Sequence, residues 1–340
     1  MRVVITSLYL PSGSKIGVGY QVHGLANALV KRGHEVMVAS ACTRPDDALY
    51  SVQTIPPRRR GRTFGFAWDL RRVDFSKFDV LNAHGDDWFL WGVKKPRHVH
   101  TFHGSLLAEM LNGPTFRAKL RSGLLAICET QTVLMADDTV SVSQNTRRYV
   151  PKIRHIIPCG VDLTRYSPGL EKSSEPSLLF VGTMHGRKRG RMLLEKFQNE
   201  ILPQFPNAQM WCVCEKPADV GETPNVKWFG RIEESVLTEL YARAWVFCLP
   251  SSYEGFGVPY IEAMASGTPM VATPNLGALE VTQNGKDGLI CNEDDLGPTI
   301  LRVLGDANLR ASLTQKGLER SKEFGWDRVC ERYEAVYAGK

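Results

Sequence analysis

Two carboxylates, Glu254 and Glu262, stand with seven residues between them in the stretch LPSSYEGFGVPYIEAMASGTPMVAT, residues 249–273. Gly255, Phe256, Gly257 and Val258 follow the first of them, and then comes Pro259, which suits the start of a helix because it has no N–H to satisfy. The apolar run 245–249 reads as a buried strand. Strand, glycine-broken loop and helix, in that order, put Glu254 on the loop and Glu262 in the first helical turn. Backbone N–H groups without intrahelical partners gather at the same place. Carboxylates accept hydrogen bonds from sugar hydroxyls, while N–H groups and the helix dipole attract negative charge. The place therefore suits a polyhydroxylated, anionic ligand. By spacing alone it equally suits two solvated glutamates ahead of a core helix.

A second group joins glycines to cations. Gly182 opens the run GTMHGRKRG (182–190), in which Arg187, Lys188 and Arg189 stand between an apolar strand at 178–181 and a helix reaching about residue 201. Such cations beside a glycine turn can grip a diphosphate, although a solvated basic turn reads the same way. Nearer the start, the loop Gly17-Val18-Gly19 leads into a helix, and His103 ends the strand HVHTFHG (98–104). That position is the carboxyl edge at which doubly wound sheets bind ligands. His84, His98 and His100 read as structural.

The elements that would carry these residues alternate strand and helix. Residues 3–10, a helix to about 32 and a strand within KRGHEVMVAS give strand, glycine loop, helix, strand, the doubly wound α/β pattern. Further strands are expected at 78–83, 98–104 and 139–143, with helices over 105–136. Residues 55–72, IPPRRRGRTFGFAWDLRR, are basic and rich in Pro and Gly and read as a loop. The pattern then repeats: strands at 178–181, 208–214, 226–229, 245–249 and 287–291, and helices at about 294–304, 307–322 and 326–338. The expected domains are 1–158 and 159–325, with 326–340 packing back on the first. Cys212 and Cys214 would share one face of a strand as core residues.

Composition narrows the classes. The 340 residues are 43% hydrophobic and 23% charged, ordinary for a globular chain. Eight cysteines are scattered without a CxxC pair or zinc spacing, so reduced thiols are expected. MRVVITSLYL reads as a first strand instead of a signal peptide, and no apolar run approaches the ~20 residues of a membrane helix. A cytoplasmic chain, peripheral at most on a membrane, is the expectation.

The stretch around Glu254, together with WFGRI and LTELYARAWVFCLPS ahead of it, resembles the Glu-x7-Glu signature of the retaining glycosyltransferases of family 4. The resemblance implies a GT-B fold, two Rossmann-like doubly wound α/β domains facing a central cleft. It implies transfer of a hexose from a nucleotide-diphosphate sugar, with a UDP-sugar favoured and GDP-mannose the other donor. It also assigns roles: Gly19 close to the donor diphosphate, His103 on the donor sugar, and Gly182, Arg187 and Lys188 on the diphosphate. Ile232, in Gly230-Arg-Ile232, lies against the base. Glu254 with the N–H groups of Phe256 and Gly257 holds the sugar hydroxyls, beside Gly255 and Val258, and Glu262 takes the ribose. The chain departs from the family at Thr183, where many members carry Arg, and at Cys159, where Asn is usual. No Asp-x-Asp occurs, so neither a metal nor a cofactor is expected. A sugar-nucleotide epimerase and a non-catalytic sugar-nucleotide binder remain as alternatives.

Charge is uneven, with 22 Lys+Arg against 12 Asp+Glu in residues 1–158 and 20 against 24 in 159–340. The basic residues cluster at Arg58, Arg59, Arg60, Arg62, Arg71 and Arg72 and at Lys94, Lys95 and Arg97. Phe64, Phe66 and Trp68 are interleaved among the first group. An anionic or membrane-held acceptor follows as the expectation, in cell-envelope glycan or glycolipid synthesis. Nucleic acid does not, because no basic recognition helix accompanies the charge.

Overall fold

A computed structural model describes residues 1–13, 16–56, 58, 62–112, 116–150 and 152–340. The chain divides into two units, 1–160 with 326–340, and 161–325. The first runs β1 (Arg2–Ser7), α1 (Gly17–Lys31), β2 (Glu35–Ser40), β3 (Ser51–Thr54), α2 (Arg62–Asp69), β4 (Val80–Ala83), β5 (Arg97–Phe102), α3 (Leu106–Asn112), α4 (Phe116–Met135), β6 (Asp138–Ser141), α5 (Gln144–Arg147) and β7 (His155–Ile156). The second runs β8 (Ser177–Val181), α6 (Gly190–Lys196), β9 (Gln209–Val213), β10 (Val226–Trp228), α7 (Glu234–Arg243), β11 (Val246–Leu249), α8 (Val258–Ala265), β12 (Met270–Ala272), α9 (Leu276–Val281), β13 (Leu289–Ile290), α10 (Leu296–Gly305) and α11 (Ala307–Ser321). α12 (Trp326–Tyr337) returns to the first unit.

Both sheets are parallel throughout. Their orders are β3-β2-β1-β4-β5-β6-β7 and β10-β9-β8-β11-β12-β13. Strands of a parallel sheet are covered on both faces, which is why β1 and β11 are apolar runs buried along nearly their whole length. In each sheet the winding reverses once, between β1 and β4 and between β8 and β11. At such a reversal the loops leaving the two strands diverge and leave a crevice at their carboxyl ends.

α12 completes the core of the first unit. Val329, Cys330, Tyr333, Val336 and Tyr337 pack with Val22, Leu25 and Leu29 of α1 in one buried cluster. Asn82 donates to the Tyr337 hydroxyl at 2.7 Å, and Arg32 forks onto Glu334 through two contacts of 2.8 Å.

The structure differs from expectation at residues 62–72 and at Glu262, and it has strands at β3 and β7 where none is expected. Residues 62–72 are not a loop but α2 followed by a 3-10 turn over Leu70–Arg72, with Phe66, Ala67 and Leu70 buried. These three recur on one helical face, which the surrounding arginines hide in the sequence. Arg58 is tied to Asp69 by two contacts of 2.8 Å, and Arg59 and Arg60 lie outside the described residues. Glu262 is the fifth residue of α8 and so stands just past the first turn. β3 lacks an apolar run because it is a largely exposed edge strand.

Candidate active site

At the reversal point of the second unit, the loop leaving β8 meets the loop leaving β11. Glu254 is 5% exposed, and its Oε1 lies 2.8 Å from Arg187 Nη1 and 2.7 Å from Lys188 Nζ. Arg187 also donates to the Tyr253 carbonyl at 2.8 Å, and its own carbonyl accepts from the Ser252 N–H at 2.9 Å. The two loops are thus latched by a buried ion pair and by backbone contacts in both directions. Burial would raise the Glu254 carboxyl, but the Lys188 and Arg187 charges outweigh it and hold the group below its ordinary range. Burial lowers Lys188, and the Glu254 charge only partly offsets this. The adjoining Arg189 takes a left-handed backbone (φ 53°) and pairs with Glu293. Thr183 is exposed, its hydroxyl donating to the His185 carbonyl at 2.9 Å.

The loop after β11 is shaped from below. Gly257 caps α8 with φ +100°, and a Cβ there would stand 2.4 Å from Tyr260 Cδ2. Gly277 in α9 has the Phe256 carbonyl oxygen 2.4 Å from the place of a Cβ, so only glycine lets α9 approach the loop so closely. Asn275 caps α9 by accepting from the Ala278 N–H at 2.9 Å and donates to the Ser251 carbonyl at 3.1 Å. Tyr260 donates to the Leu249 carbonyl at 3.1 Å. Asn275, Gly277 and Tyr260 escape sequence reasoning, although an Asn ahead of a helix is a signal for the cap that Asn275 makes.

Glu262 lies one helical turn beyond Val258. Its Oε2 accepts from the Tyr241 hydroxyl at 3.0 Å, and Tyr166 is a second hydroxyl partner. Burial drives this carboxyl up to about 7 against the lowering effect of the two hydroxyls. A carboxyl poised there holds or yields a proton near neutrality according to what reaches it. The position beside Gly182 is filled by the Lys188 side chain, whose Cβ is 3.3 Å from where a Gly182 Cβ would stand. Ile232 is half-buried on the loop after β10, which lies at the opposite edge of the sheet from β13. Glu254, Arg187, Lys188, Gly182 and the 255–258 turn are therefore brought together, whereas Ile232 lies on a separate loop.

In the first unit, Gly17, Val18 and Gly19 are not a loop but the first three residues of α1, where Gly19 packs against the Tyr9 and Leu10 backbone, and His103 follows β5. His103 Nε2 lies 2.7 Å from His84 Nδ1, with the rings 5.0 Å apart. Burial lowers His103 to about 4, and burial also lowers His84, so both rings are neutral at pH 7. His84 is therefore a direct partner of His103, a contact that sequence gives no means to see. His98 and His100 are structural in the plain sense, both within 3.0 Å of the fully buried Asp87 carboxylate. Among the described residues no group of three or more His, Cys, Asp or Glu is placed to hold a metal ion.

Residues 16–165 match the model for Glycosyltransferase Family 4, and residues 175–306 match that for Glycosyl transferases group 1. The chain is 32% identical over 312 residues to the O-antigen chain mannosyltransferase B of Escherichia coli, a match covering 82% of this chain and 76% of that protein. Among solved structures, the sucrose-phosphate synthase (tll1590) of Thermosynechococcus elongatus superposes with a TM-score of 0.81 at 21% identity, covering 99% of this chain and 98% of that one. WaaG, a glycosyltransferase involved in lipopolysaccharide biosynthesis, superposes with a TM-score of 0.76 at 17% identity, covering 99% and 100%. The two parallel Rossmann-like sheets are those of the GT-B fold. With this sequence kinship and that fold, the chain belongs to glycosyltransferase family 4 and is an enzyme that transfers a sugar from a nucleotide-sugar donor.

Proposed function

We propose that the enzyme moves a hexose, with retention of anomeric configuration, from a nucleoside-diphosphate sugar to a hydroxyl of an anionic or membrane-held acceptor in envelope-glycan synthesis. The observation that carries this is the contact of Glu254 with both Arg187 and Lys188 at the reversal point of the second sheet. A diphosphate entering between the two loops competes with Glu254 for both cations. Its arrival frees the carboxylate to accept from sugar hydroxyls.

In the reaction the bond from C1 to the diphosphate oxygen breaks and the bond from the acceptor oxygen to C1 forms. The acceptor's proton passes to the departing phosphate. Negative charge grows on the leaving group, so fixed cations and N–H donors stabilise the transition state more than the ground state. Glu262 takes the ribose hydroxyls, and His103, neutral and held by His84, takes a hydroxyl of the sugar. The donors to separate are UDP-hexoses and GDP-mannose. The second is favoured by the mannosyl transfer in the name of the Escherichia coli relative.

A thermal-shift panel of nucleotide sugars, followed by NMR of the product formed from the best donor, tests the reading. A donor present at ~100 times its Kd stabilises by about 2.7 kcal/mol. Inversion at C1, or turnover of donor to an epimer without any acceptor, overturns it.

A further inference from the structure

Glu262 keeps company of one kind. Among the described residues no cation pairs with it, since Arg187 and Lys188 both turn to Glu254. Its partners are two phenols. The Tyr241 hydroxyl donates to its Oε2 at 3.0 Å, and Tyr166 supplies a second hydroxyl. Burial holds both phenols protonated far above neutrality, so they remain donors throughout the neutral range.

Neither ring needs its hydroxyl to keep its place. Tyr241 is fully buried on α7, 5.4 Å from the Phe247 ring centre, and its carbonyl accepts from Thr268 Oγ1 at 2.5 Å. Tyr166, 6% exposed, meets the Tyr241 ring edge-on at 5.9 Å. Its N–H donates to the Asp162 carbonyl at 2.8 Å, and the adjoining Arg165 pairs with Glu234 of α7 at 2.5 Å. Packing and backbone contacts thus carry two hydroxyls to one buried carboxyl. A carboxylate has about four acceptor sites. The tyrosines take two and leave two, the number that the vicinal hydroxyls of a ribose fill.

We propose that Tyr241 and Tyr166 are positioning residues for donor binding, whose hydroxyls fix the Glu262 carboxylate and keep it ionised, with two acceptor sites left for the ribose. This rests on the reading of Glu262 as the ribose acceptor. A hydrogen bond to the charged form of a group favours that form. At Glu262 burial favours the neutral acid, the two hydroxyls oppose it, Glu234 adds to the rise and Lys188 offsets part of it. α11 meets α8 at Gly317, beside Met264, and Asn275 ahead of α9 donates to Tyr260, contacts that bring no charge. Loss of either hydroxyl should therefore leave less carboxylate at a given pH.

The test is isothermal titration of the full chain with GDP and with UDP at about pH 6 and about pH 9. The ratio of variant to wild-type Kd at each pH cancels the titration of the nucleotide phosphates and of Lys188. For Tyr241→Phe the ratio should be on the order of tenfold or more at the lower pH and about twofold or less at the higher. Tyr166→Phe should move the same way, and the double variant further than either. Once Glu262→Gln is in place, adding Tyr241→Phe should leave the Kd unchanged at both pH values, because the hydroxyl acts through the carboxylate. Carbon-13 NMR of the donor-free chain, with Glu262→Gln assigning the signal, should show the carboxyl midpoint rising by about one pH unit or more in each Phe variant.

A midpoint that stays in place in both Phe variants, while wild type binds nucleotide, overturns the proposal alone. So does a Kd ratio equal at both pH values, which a merely structural role would give. A midpoint that moves while the Kd ratio stays near one at both pH values overturns it by refuting the ribose reading of Glu262. A wild-type chain that binds neither nucleotide refutes the transferase reading together with the proposal.

Discussion

Glu262 gives the sharpest quantitative expectation. Its carboxyl titrates at about 7 because it is buried, yet the proposed role needs the carboxylate to accept from two ribose hydroxyls. Donor binding must then displace a proton whenever the pH is near or below neutrality. The ionised fraction of such a group falls about tenfold for each pH unit below its value, about 1.4 kcal/mol of binding free energy per unit. The Kd for a nucleotide sugar should therefore rise about tenfold between about pH 8 and pH 6, with a proton released on binding. His103, lowered to about 4, stays neutral across that window and does not contribute.

In Glu262→Gln the Kd should be flat with pH and should lie near the weak, acid-limb value of the wild type. Stability moves in the opposite direction. The folded carboxyl holds its proton more tightly than the unfolded one. Its contribution is therefore present at pH below the ordinary carboxyl value and is lost as pH rises through about 7. That loss is about 3 kcal/mol at most, so the Gln variant should melt higher than wild type at about pH 8 and together with it at about pH 5. Isothermal titration in two buffers of different ionisation enthalpy reads the proton directly. A wild-type Kd that stays constant from about pH 8 to pH 6, with no proton release, would show that Glu262 does not meet the donor as a carboxylate.

Other outcomes follow from the same site. Glu254→Ala should lower kcat by roughly 10- to 150-fold, the loss of a charged hydrogen bond of ~1.5–3 kcal/mol, while the Kd for donor should not rise, because the change also removes the anion that competes for Arg187 and Lys188; a Kd that rises in step would mark a binding defect instead. The same change leaves the Lys188 ammonium without its closest anion, so unfolding midpoints should fall by the equivalent of about 3 kcal/mol or more. Gly277→Ala should displace the Phe256 turn, because the added Cβ meets the Phe256 oxygen at 2.4 Å; kcat should drop while circular dichroism stays native, and a fully active variant would show that the turn does not need this contact. Turnover should survive excess EDTA, and loss on chelation that magnesium or manganese restores would contradict charge stabilisation by Arg187 and Lys188 alone.

The sequence made the central strands of the two sheets legible because strands covered on both faces are apolar runs, and a glycine follows β8 directly and β4 and β5 within two residues. The Glu254 loop was legible for the same reason: β11, the Gly255–Gly257 turn and Pro259 follow one another within 14 residues, 246–259. Contacts between distant residues were not. Tyr241 reaches Glu262 across 21 residues, and His84 reaches His103 across 19. In neither case does anything in the local pattern say that two hydroxyls or two imidazoles converge. α2 was missed through composition, since in the stretch 55–72 the buried Phe66, Ala67 and Leu70 are outnumbered by arginines and glycines. The ion pairs of Glu254 follow from the folding of two loops that begin at neighbouring strands, an adjacency set by the order β8-β11.

The return of α12 to the first unit also sets a timetable for the growing chain. Residues 161–325 make up the second unit by themselves and have their whole sheet available as soon as they have been made. The first unit begins earlier but finishes later. Val22, Leu25 and Leu29 have no cover from Val329, Tyr333 and Val336 until translation has passed residue 336, and Asn82 waits for Tyr337. A ribosome therefore completes the inserted unit while the one it interrupts is still open. A stop or cleavage between α11 and α12 would leave an intact nucleotide-side unit attached to a first unit with an uncovered core.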